Sequence, residues 1–507
     1  MYPRLNLRRE VLFLLFYTIL CNLNMIAIGS MWGYTSVALP ILRKNNTSSI
    51  TLNDTETFLF LTLTLINQIV GSLLCLVAMK YGRRCAMISA SVTSLAGWLL
   101  IASSYNVIQL LAGRVLTGMS FGLSLSPSTV YIGEIAISSW KECLTAVPIA
   151  SMSIGIFYVY LLGFLIQDSW KLIAIFCIIP SLLFVFCIFI IPESPGWLLV
   201  KGRKEAARNA LLRIRGLHRE TREFEEEFAR LISYIESKKN EMFQLTCLST
   251  DVSSANKESS SSLTSNAWNK LKNIWTIMRL PEVWKPLVIL NVYFLIMQFN
   301  GMYTVIVYSV TMVINAKITM DPRLVTVIIG LIMMIMSFVT VGCSPRIGRR
   351  TISIVSNVGM SISMGGLAMY TQFFEKINIG EIPLVCILIF TIFGSFGLMI
   401  PWALIGELYP TKYVGVLGPL TNFFTILCTA VNVHIYPLMV RWNKVATIFY
   451  CYSAMSFLIA IYTTILPETR GKSKTQIEEI FRGKQKSTKS EFENACKTNE
   501  AIDTTTL

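Results

Sequence analysis

The sequence predicts an all-α membrane protein in which twelve transmembrane helices form two six-helix halves. Three observations predict this class: the composition, the number of long apolar segments, and motifs that recur at a nearly constant offset. The chain has 507 residues, of which 53% are hydrophobic and 14% charged, whereas a soluble domain is about 25% charged. Its mean hydropathy is +0.58. This composition favours a lipid bilayer over water as the main environment.

Twelve segments are long enough to cross a bilayer, since a helix needs about 20 apolar residues to span the hydrocarbon core. In the first half we predict spans at 11–39, 58–79, 85–104, 107–129, 143–166 and 169–191. In the second half we predict 286–312, 323–343, 351–371, 382–406, 414–438 and 445–466. The first segment follows three arginines, as in a signal peptide, but it is too long and lacks a cleavage site, so we expect a retained helix. The predicted domains are the first half at 1–191, a linker at 192–285, the second half at 286–466 and a tail at 467–507.

The net charge of +15 invites a nucleic-acid partner, but lysine and arginine fall mostly between and beyond the spans. This is the positive-inside distribution, so we expect the linker, the tail and both termini to be cytoplasmic, with no nucleic acid bound. The only Asn-x-Ser/Thr sequons, at Asn45, Asn46 and Asn53, follow the first span. This places them outside, where glycosylation takes place. We therefore expect a multi-pass glycoprotein of the plasma membrane.

Three short motifs recur in the second half at an offset of about 270 residues, which is typical of transporters built from two parallel repeats. Lys80–Arg84 recurs as Arg346–Arg350. The other two pairs are Ile132–Glu134 with Ile405–Glu407, and Pro192–Pro195 with Pro467–Arg470. In such transporters the solute lies between the halves near the middle of the membrane.

These motifs, and others along the whole chain, also carry a family resemblance. The residues are the two Gly-Arg-Arg loops, Gly113, Arg114, Gly118 and Gly122, Tyr131–Glu134, Pro192–Pro195 with Trp197, Pro401, Trp402, Glu407 and Pro410, and Pro467–Thr469 with Gly471 and Lys472. In this order they resemble the sugar-porter family of the major facilitator superfamily. Trp32–Ser36 and Pro148 look most like its facilitated trehalose-transporter-like branch. The resemblance implies the major facilitator fold and a uniporter that moves a sugar such as trehalose or a hexose by alternating access, with no cofactor.

Charged residues at the ends of both halves are candidates for a gate. We expect ion-pair clusters that hold one arrangement of the halves and release another, formed by Arg83, Arg84, Glu134, Glu193, Arg349, Arg350, Glu407 and Glu468. The alternative is that these arginines only fix the topology. Gly113, Gly118 and Gly122 are better explained by close helix packing.

The spans contain few ionisable groups, which are costly in a bilayer and therefore informative. Arg114 is the only arginine, lysine or carboxylate well inside a predicted span, and His434 is read as a hydrogen-bonded interior histidine rather than a proton relay. A nearly charge-free interior favours a neutral polar substrate that moves down its gradient.

A hydroxyl-rich solute needs amides, which donate and accept, and aromatic faces for its apolar surface. The candidate substrate-binding residues are Gln298, Tyr303, Tyr308, Trp402 and Asn422. By resemblance, Gln298, Trp402 and Asn422 fall on sugar-contacting positions of the family. For each residue the alternative is a packing contact or an interfacial aromatic.

The chain departs from the family pattern at both site and gate. Ile149 and Met297 replace glutamines, Tyr303 replaces an asparagine, and Leu398 and Met399 replace the Gly-Pro before Trp402; Met79, Pro345 and Val414 replace charged gate residues. Two further functions therefore stay open: a nutrient receptor of the same fold with little transport, and a carrier of another neutral polar solute. No metal cluster, nucleophile triad or phosphate loop is found in the sequence, so an enzyme is not expected.

The linker predicts two kinds of structure. Residues 201–240 alternate charged and apolar positions, which is typical of surface helices. Residues 247–266 are rich in serine and threonine and predict a disordered insertion.

Overall fold

The computed structural model describes residues 4–43, 50–137, 140–217, 220–233, 235–236, 281–316, 318–374, 380–409, 414–442, 445–466 and 481. Within these ranges the structure is helical, and twelve of its helical segments are long and apolar enough to cross a membrane. This confirms the predicted class of all-α membrane protein with twelve spanning helices.

The first half and the start of the linker contain eight helices. They are α1 (Arg4–Leu42), α2 (Asp54–Tyr81), α3 (Arg83–Ala102), α4 (Val107–Ile135), α5 (Lys141–Leu165), α6 (Trp170–Cys187), α7 (Pro195–Val200) and α8 (Lys204–Arg215). A further helical stretch covers residues 222–233. The second half contains α9 (Pro281–Gln298), α10 (Met302–Asn315), α11 (Pro322–Ile347), α12 (Arg349–Met369) with a π-helical end at Tyr370–Phe374, α13 (Glu381–Gly397), α14 (Ile400–Leu408), α15 (Val414–Arg441) and α16 (Val445–Ile465).

The helices differ from the predicted spans in two ways. The fourth span continues past residue 129 to Ile135, because Tyr131, Ile132 and Ile135 remain buried in an apolar cluster with side chains of α1 and α6. The seventh and tenth spans are each divided into two helices, α9 with α10 and α13 with α14. Apolar composition cannot reveal such breaks, because it is the same on both sides of them.

We call the membrane side that carries the α2–α3 turn and the linker the linker side, and the opposite side the far side. The motif repeat predicted from sequence has a backbone counterpart on the linker side. Gly82 between α2 and α3 and Gly348 between α11 and α12 both have positive φ, +140° and +88°. Few residues other than glycine adopt this conformation, so the two halves make the same turn with the same residue.

The linker begins as a compact unit packed on the first half. Leu198, Leu211, Phe224 and Phe228 form a small buried cluster between α7, α8 and the stretch at 222–233. Arg215 at the end of α8 donates to the carbonyl of Ile135 at 3.0 Å and pairs with Glu227 at 2.6 Å. The surface helices expected in the linker are thus present in its described part, whereas the Ser-rich insertion at 247–266 lies outside the described residues.

Helices α2 and α4 approach each other closely through glycines. A Cβ atom at Gly118 would meet the backbone of Thr64, and one at Gly122 would meet the backbone of Gln68, Gly71 and Ser72. Small residues allow this contact between helices in lipid, where close packing stabilises association. The packing interpretation of these glycines therefore fits the structure.

We predict that Gly122→Ala lowers the melting temperature of the purified protein by several degrees, because α2 or α4 must move to admit the methyl group. Gly342→Ala is the matched control, since a Cβ there has no atom within 4 Å. Equal melting temperatures for the two variants would contradict this account of the packing.

Candidate functional site

The seventh span is broken near its middle, between α9 and α10. Phe299, Asn300 and Gly301 form the break, and Gly301 has a φ of +90°. A Cβ at Gly301 would collide with the ring of Tyr452. The Asn300 side chain accepts a hydrogen bond from the Met302 N–H at 3.0 Å, so one backbone group that has no helical partner is satisfied. Broken helices of this kind often supply solute sites in transporters, because they free polar backbone groups in mid-membrane.

Gln298, the last residue of α9, lies directly at this break and is fully buried. Its Oε1 accepts from the Thr429 hydroxyl at 2.9 Å, and its backbone carbonyl accepts from Asn432 Nδ2 at 2.6 Å. Its Nε2 has no hydrogen-bond partner in the described part of the chain. The side-chain amide is thus bound through its oxygen, while its NH2 group has no partner in the described part of the chain.

A small polar network surrounds the break and continues away from Gln298. Asn432 Nδ2 also lies 3.2 Å from the Thr304 hydroxyl, which accepts from the Tyr452 hydroxyl at 3.1 Å. Helices α9, α10, α15 and α16 are joined by these contacts. A polar group buried without a partner is costly, so the network stabilises the break and fixes the position of Gln298.

Aromatic rings cover the region between the halves beside Gln298. Tyr303 lies 5.8 Å, centroid to centroid, from Trp32 on α1, and Trp32 lies 6.3 Å from Phe121 on α4. Trp402 on α14 packs edge-on against Phe294 at 5.2 Å. Both Tyr303 and Trp402 were predicted from sequence. Tyr303 lies just after the break in the seventh span, and Trp402 lies just after the break in the tenth.

The other two sequence-predicted site residues lie farther from Gln298. Asn422 Nδ2 donates to the Ser72 hydroxyl on α2 at 3.2 Å, and Asn422 precedes Thr429 on α15 by about two helical turns, roughly 10 Å. Tyr308 lies toward the far side, where its ring packs 5.1 Å from Tyr436 and its hydroxyl has no partner in the described residues. The structure thus spreads the five candidates along the interface instead of forming one tight cluster.

The predicted charge cluster is present on the linker side of the first half. Arg83 pairs with Glu134 at 2.7 Å, and the Ser194 hydroxyl donates to the same carboxylate. Glu193 instead accepts from the backbone N–H groups of Arg83 and Arg84, at 3.0 and 3.2 Å. Those N–H groups begin α3 and have no carbonyl to bind within the helix, which favours a carboxylate there. A Cβ at Gly82 would collide with Glu193, so the turn, the carboxylate and the helix start depend on one another.

The second-half counterpart is only partly described. Arg350 donates to the carbonyl of Thr464 at 2.5 Å, and Arg349 has a partner as well. The Glu407 side chain and the whole of Glu468 lie outside the described residues. The pairing of these two carboxylates with Arg349 and Arg350 therefore remains a prediction.

The halves touch chiefly through α5 with α11, α1 with α10 and α2 with α15. Near the far side, the Tyr160 hydroxyl donates to the carbonyl of Ile306 at 2.7 Å, and the Val310 N–H donates to the Ser36 hydroxyl at 3.3 Å. His434 Nε2 lies 2.8 Å from the Thr62 hydroxyl of the first half, and His434 Nδ1 lies 2.7 Å from the Ala430 carbonyl. His434 is thus a hydrogen-bonded contact between the halves.

Ion pairs add to this closure at the far-side surface. Asp54 at the start of α2 pairs with Arg43 of the first half at 2.6 Å and with Arg441 of the second half at 2.5 Å. Asp168 pairs with Arg323 of the second half at 3.5 Å. The far side therefore carries a latch between the halves, formed by Asp54, Arg441, Asp168 and Arg323, whereas the Arg83–Glu134 pair on the linker side is contained in one half.

The family model described as "Sugar (and other) transporter" matches residues 15–481. The chain belongs to this family. It is therefore a multi-pass membrane transporter and not an enzyme, as the sequence motifs predicted.

Curated relatives carry more specific names. The chain is 27% identical over 462 residues to "Facilitated trehalose transporter Tret1" of Apis mellifera ligustica, covering 90% of this chain and 86% of that protein. It is 26% identical over 470 residues to the protein of the same name from Drosophila virilis, covering 91% of this chain but 48% of that relative. The transporter thus spans about half the length of some of its relatives.

Solved structures confirm the fold. The inward-open xylose transporter XylE from E. coli superimposes with a TM-score of 0.69 at 20% identity, over 92% of this chain and 99% of that one. XylE bound to 6-bromo-6-deoxy-D-glucose, described as a proton:xylose symporter, gives 0.71 at 18% identity, over 93% of this chain and 100% of that one. At this identity the likeness establishes the major facilitator fold alone.

Several residues that build the transporter's interface were not predicted from sequence. The latch residues Asp54, Asp168 and Arg441 fall between the predicted spans, and Arg323 is the first residue of the eighth; charge is expected at such positions and therefore carries no signal. Thr429 and Asn432 are ordinary polar residues of a spanning helix. They follow Asn422 by seven and ten residues on the same predicted helix, and this spacing could have suggested them as site residues.

We predict that Arg441→Gln loosens the far side, because it removes the Asp54 contact between the halves, while Arg43→Gln leaves that contact in place. Because an exposed ion pair contributes little, the open population should rise by at most a few-fold. A membrane-impermeant thiol reagent applied to the far side of the membrane should report this as faster labelling of Leu61→Cys in an otherwise cysteine-free background. Equal labelling rates in the two arginine variants would show that the latch does not hold the halves.

Proposed function

We propose that this protein is a facilitative carrier of a neutral sugar, such as trehalose or a hexose, that works by alternating access. The observation that carries the proposal is the broken helix beside Gln298. It presents a buried amide with a free donor group, next to aromatic rings contributed by both halves. Amides and aromatic faces are the groups that recognise a hydroxylated ring.

The proposed substrate-binding residues are Gln298, Tyr303, Tyr308, Trp402 and Asn422. Thr429, which binds Gln298, lies roughly 10 Å from Asn422 along α15, and this spacing is better suited to a two-ring sugar than to a single hexose. The relatives named as trehalose transporters support the same choice. Asn422 would contact the sugar through its Oδ1, which has no partner in the described residues, while its Nδ2 stays with Ser72.

Transport without ion coupling is supported by the surroundings of the buried charge. Arg114 is held by the hydroxyl of Thr35 at 2.7 Å and, in the described part of the chain, forms no ion pair with a carboxylate. A proton-coupled mechanism needs an acid that titrates within the membrane. Uniport is therefore the mode that we propose.

In the alternating-access cycle, the structure corresponds to a state closed on the far side. The far-side latch and the α1–α10 contacts would open when the halves rock, and the clusters on the linker side would then close. We propose that Arg83, Arg84, Glu134 and Glu193, with Arg349, Arg350, Glu407 and Glu468, form this second gate. We also propose that the linker side is cytoplasmic, in the plasma membrane, with glycosylation at Asn45, Asn46 or Asn53 on the outside.

Uptake of radiolabelled trehalose, glucose and a neutral polyol into proteoliposomes tests this function. We expect trehalose or glucose to reach, but not exceed, the external concentration, with a rate unaffected by a proton ionophore. Accumulation that collapses with the pH gradient would contradict uniport. Saturable binding without uptake would instead identify a nutrient receptor of the same fold.

We predict that Gln298→Leu weakens sugar binding roughly 5- to 100-fold, since a hydroxyl deprived of its partner in a water-shielded site costs about 1 to 3 kcal/mol. The matched control is Met297→Leu, which places the same side chain one residue earlier. Half-saturation constants for uptake by the two variants provide the measurement. A Gln298→Leu constant equal to that of Met297→Leu, at equal surface expression, would remove Gln298 from the site.

A further inference from the structure

Arg114 on α4 is a buried cation inside the bilayer whose charge is not balanced by the described residues. Its side chain is only 1% exposed. Nη2 donates to the Thr35 hydroxyl at 2.7 Å, Nη1 reaches the Met31 carbonyl at 3.5 Å, and the guanidinium lies 4.4 Å from the centre of the Phe60 ring. These neutral contacts lower the cost of burial, but the positive charge remains, because arginine stays protonated in proteins.

Arg114 lines a small cavity between the halves, and two further buried groups on its walls also have unused donors. Arg114 Nε, Trp32 Nε1 and Gln68 Nε2 have no hydrogen-bond partner in the described part of the chain. The three residues are 1%, 7% and 1% exposed. Arginine and tryptophan side chains carry donors and no acceptor, so their lack of a partner does not depend on how an amide is oriented.

The cavity therefore combines a positive charge with N–H groups that need an acceptor. Its volume is about 20 Å³, which admits one particle of the size of a water molecule. A water molecule accepts at most two hydrogen bonds and must place its own two hydrogens on acceptors. A small monovalent anion accepts hydrogen bonds without needing acceptors of its own and also neutralises the guanidinium, so it suits this mostly apolar cavity better than a water molecule does.

We propose that this cavity binds one small monovalent anion, with free chloride as the candidate. The residues that hold it are Arg114, Trp32 and Gln68. Val307 and Val433 of the second half complete the cavity, so the site exists only when the two halves are closed together on the far side. The bound anion would therefore favour the far-side-closed arrangement, because a ligand stabilises the state in which its site is assembled.

The test uses the full-length purified protein and does not depend on sugar transport, so failure of the proposed function leaves it intact. The melting temperature is measured in gluconate, an anion too large for this cavity, with chloride titrated in at constant ionic strength. We expect a saturable rise of a few degrees, because a ligand that binds only the folded protein stabilises it. No rise with chloride would overturn the proposal.

Two substitutions at one position separate a site from a general salt effect. Thr35→Asp places a carboxylate next to Arg114 and should abolish the response, because the charge is then balanced within the protein. Thr35→Asn has nearly the same size without the charge and should keep the response, while Trp32→Phe, which removes one donor but keeps the ring, should weaken the apparent affinity several-fold. An undiminished chloride response in Thr35→Asp would also overturn the proposal.

Discussion

Polar groups that lie within the hydrocarbon region must find their partners inside the protein, and much of this structure follows from that constraint. The break between α9 and α10 frees backbone groups in mid-membrane. Asn300 binds the Met302 N–H, Asn432 binds the Gln298 carbonyl, and Thr304 binds Asn432. The side-chain and backbone carbonyl oxygens of Gln298 are thus both bound, while its side-chain NH2 group has no partner among the described residues. A site for a hydroxylated solute is thus a consequence of how the break is stabilised.

The same constraint explains why the contacts between the halves differ on the two sides. At the far side, the closure uses surface ion pairs and single hydrogen bonds such as that of Tyr160 with the Ile306 carbonyl. Each of these polar contacts contributes little by itself, and a buried apolar cluster that includes side chains of both halves adds to them. On the linker side, Arg83 and Glu134 are joined within one half, where Glu193 binds the backbone N–H groups that start α3. Two halves that are each linked internally are suited to a rocking motion.

The sequence predicted the fold because its signals are strong and repeated: twelve apolar segments, and motifs such as Gly82-Arg83-Arg84 that recur in the second half. It also predicted that Arg83 and Glu134 belong together. The helix breaks were not predicted, although Asn300-Gly301 and Pro401 are residues that interrupt helices, because the spans were predicted from apolar length alone. The sequence could not predict the partners of Gln298 or the latch at Asp54, because these contacts join residues that are distant in sequence and whose types are common at their positions.

The central claim is that the two halves close alternately around a solute held between them. Spin-label distance measurements test it most directly, with exposed label pairs at Tyr105 and Glu381 on the far side and at Tyr81 and Ile347 on the linker side. Without solute, the account predicts a short far-side distance and a long linker-side distance as the main population. Saturating trehalose or glucose should shift the two populations in opposite directions, the far side lengthening as the linker side shortens. Distances that change in the same direction, or that do not respond to any transported solute, would contradict alternating access in this protein.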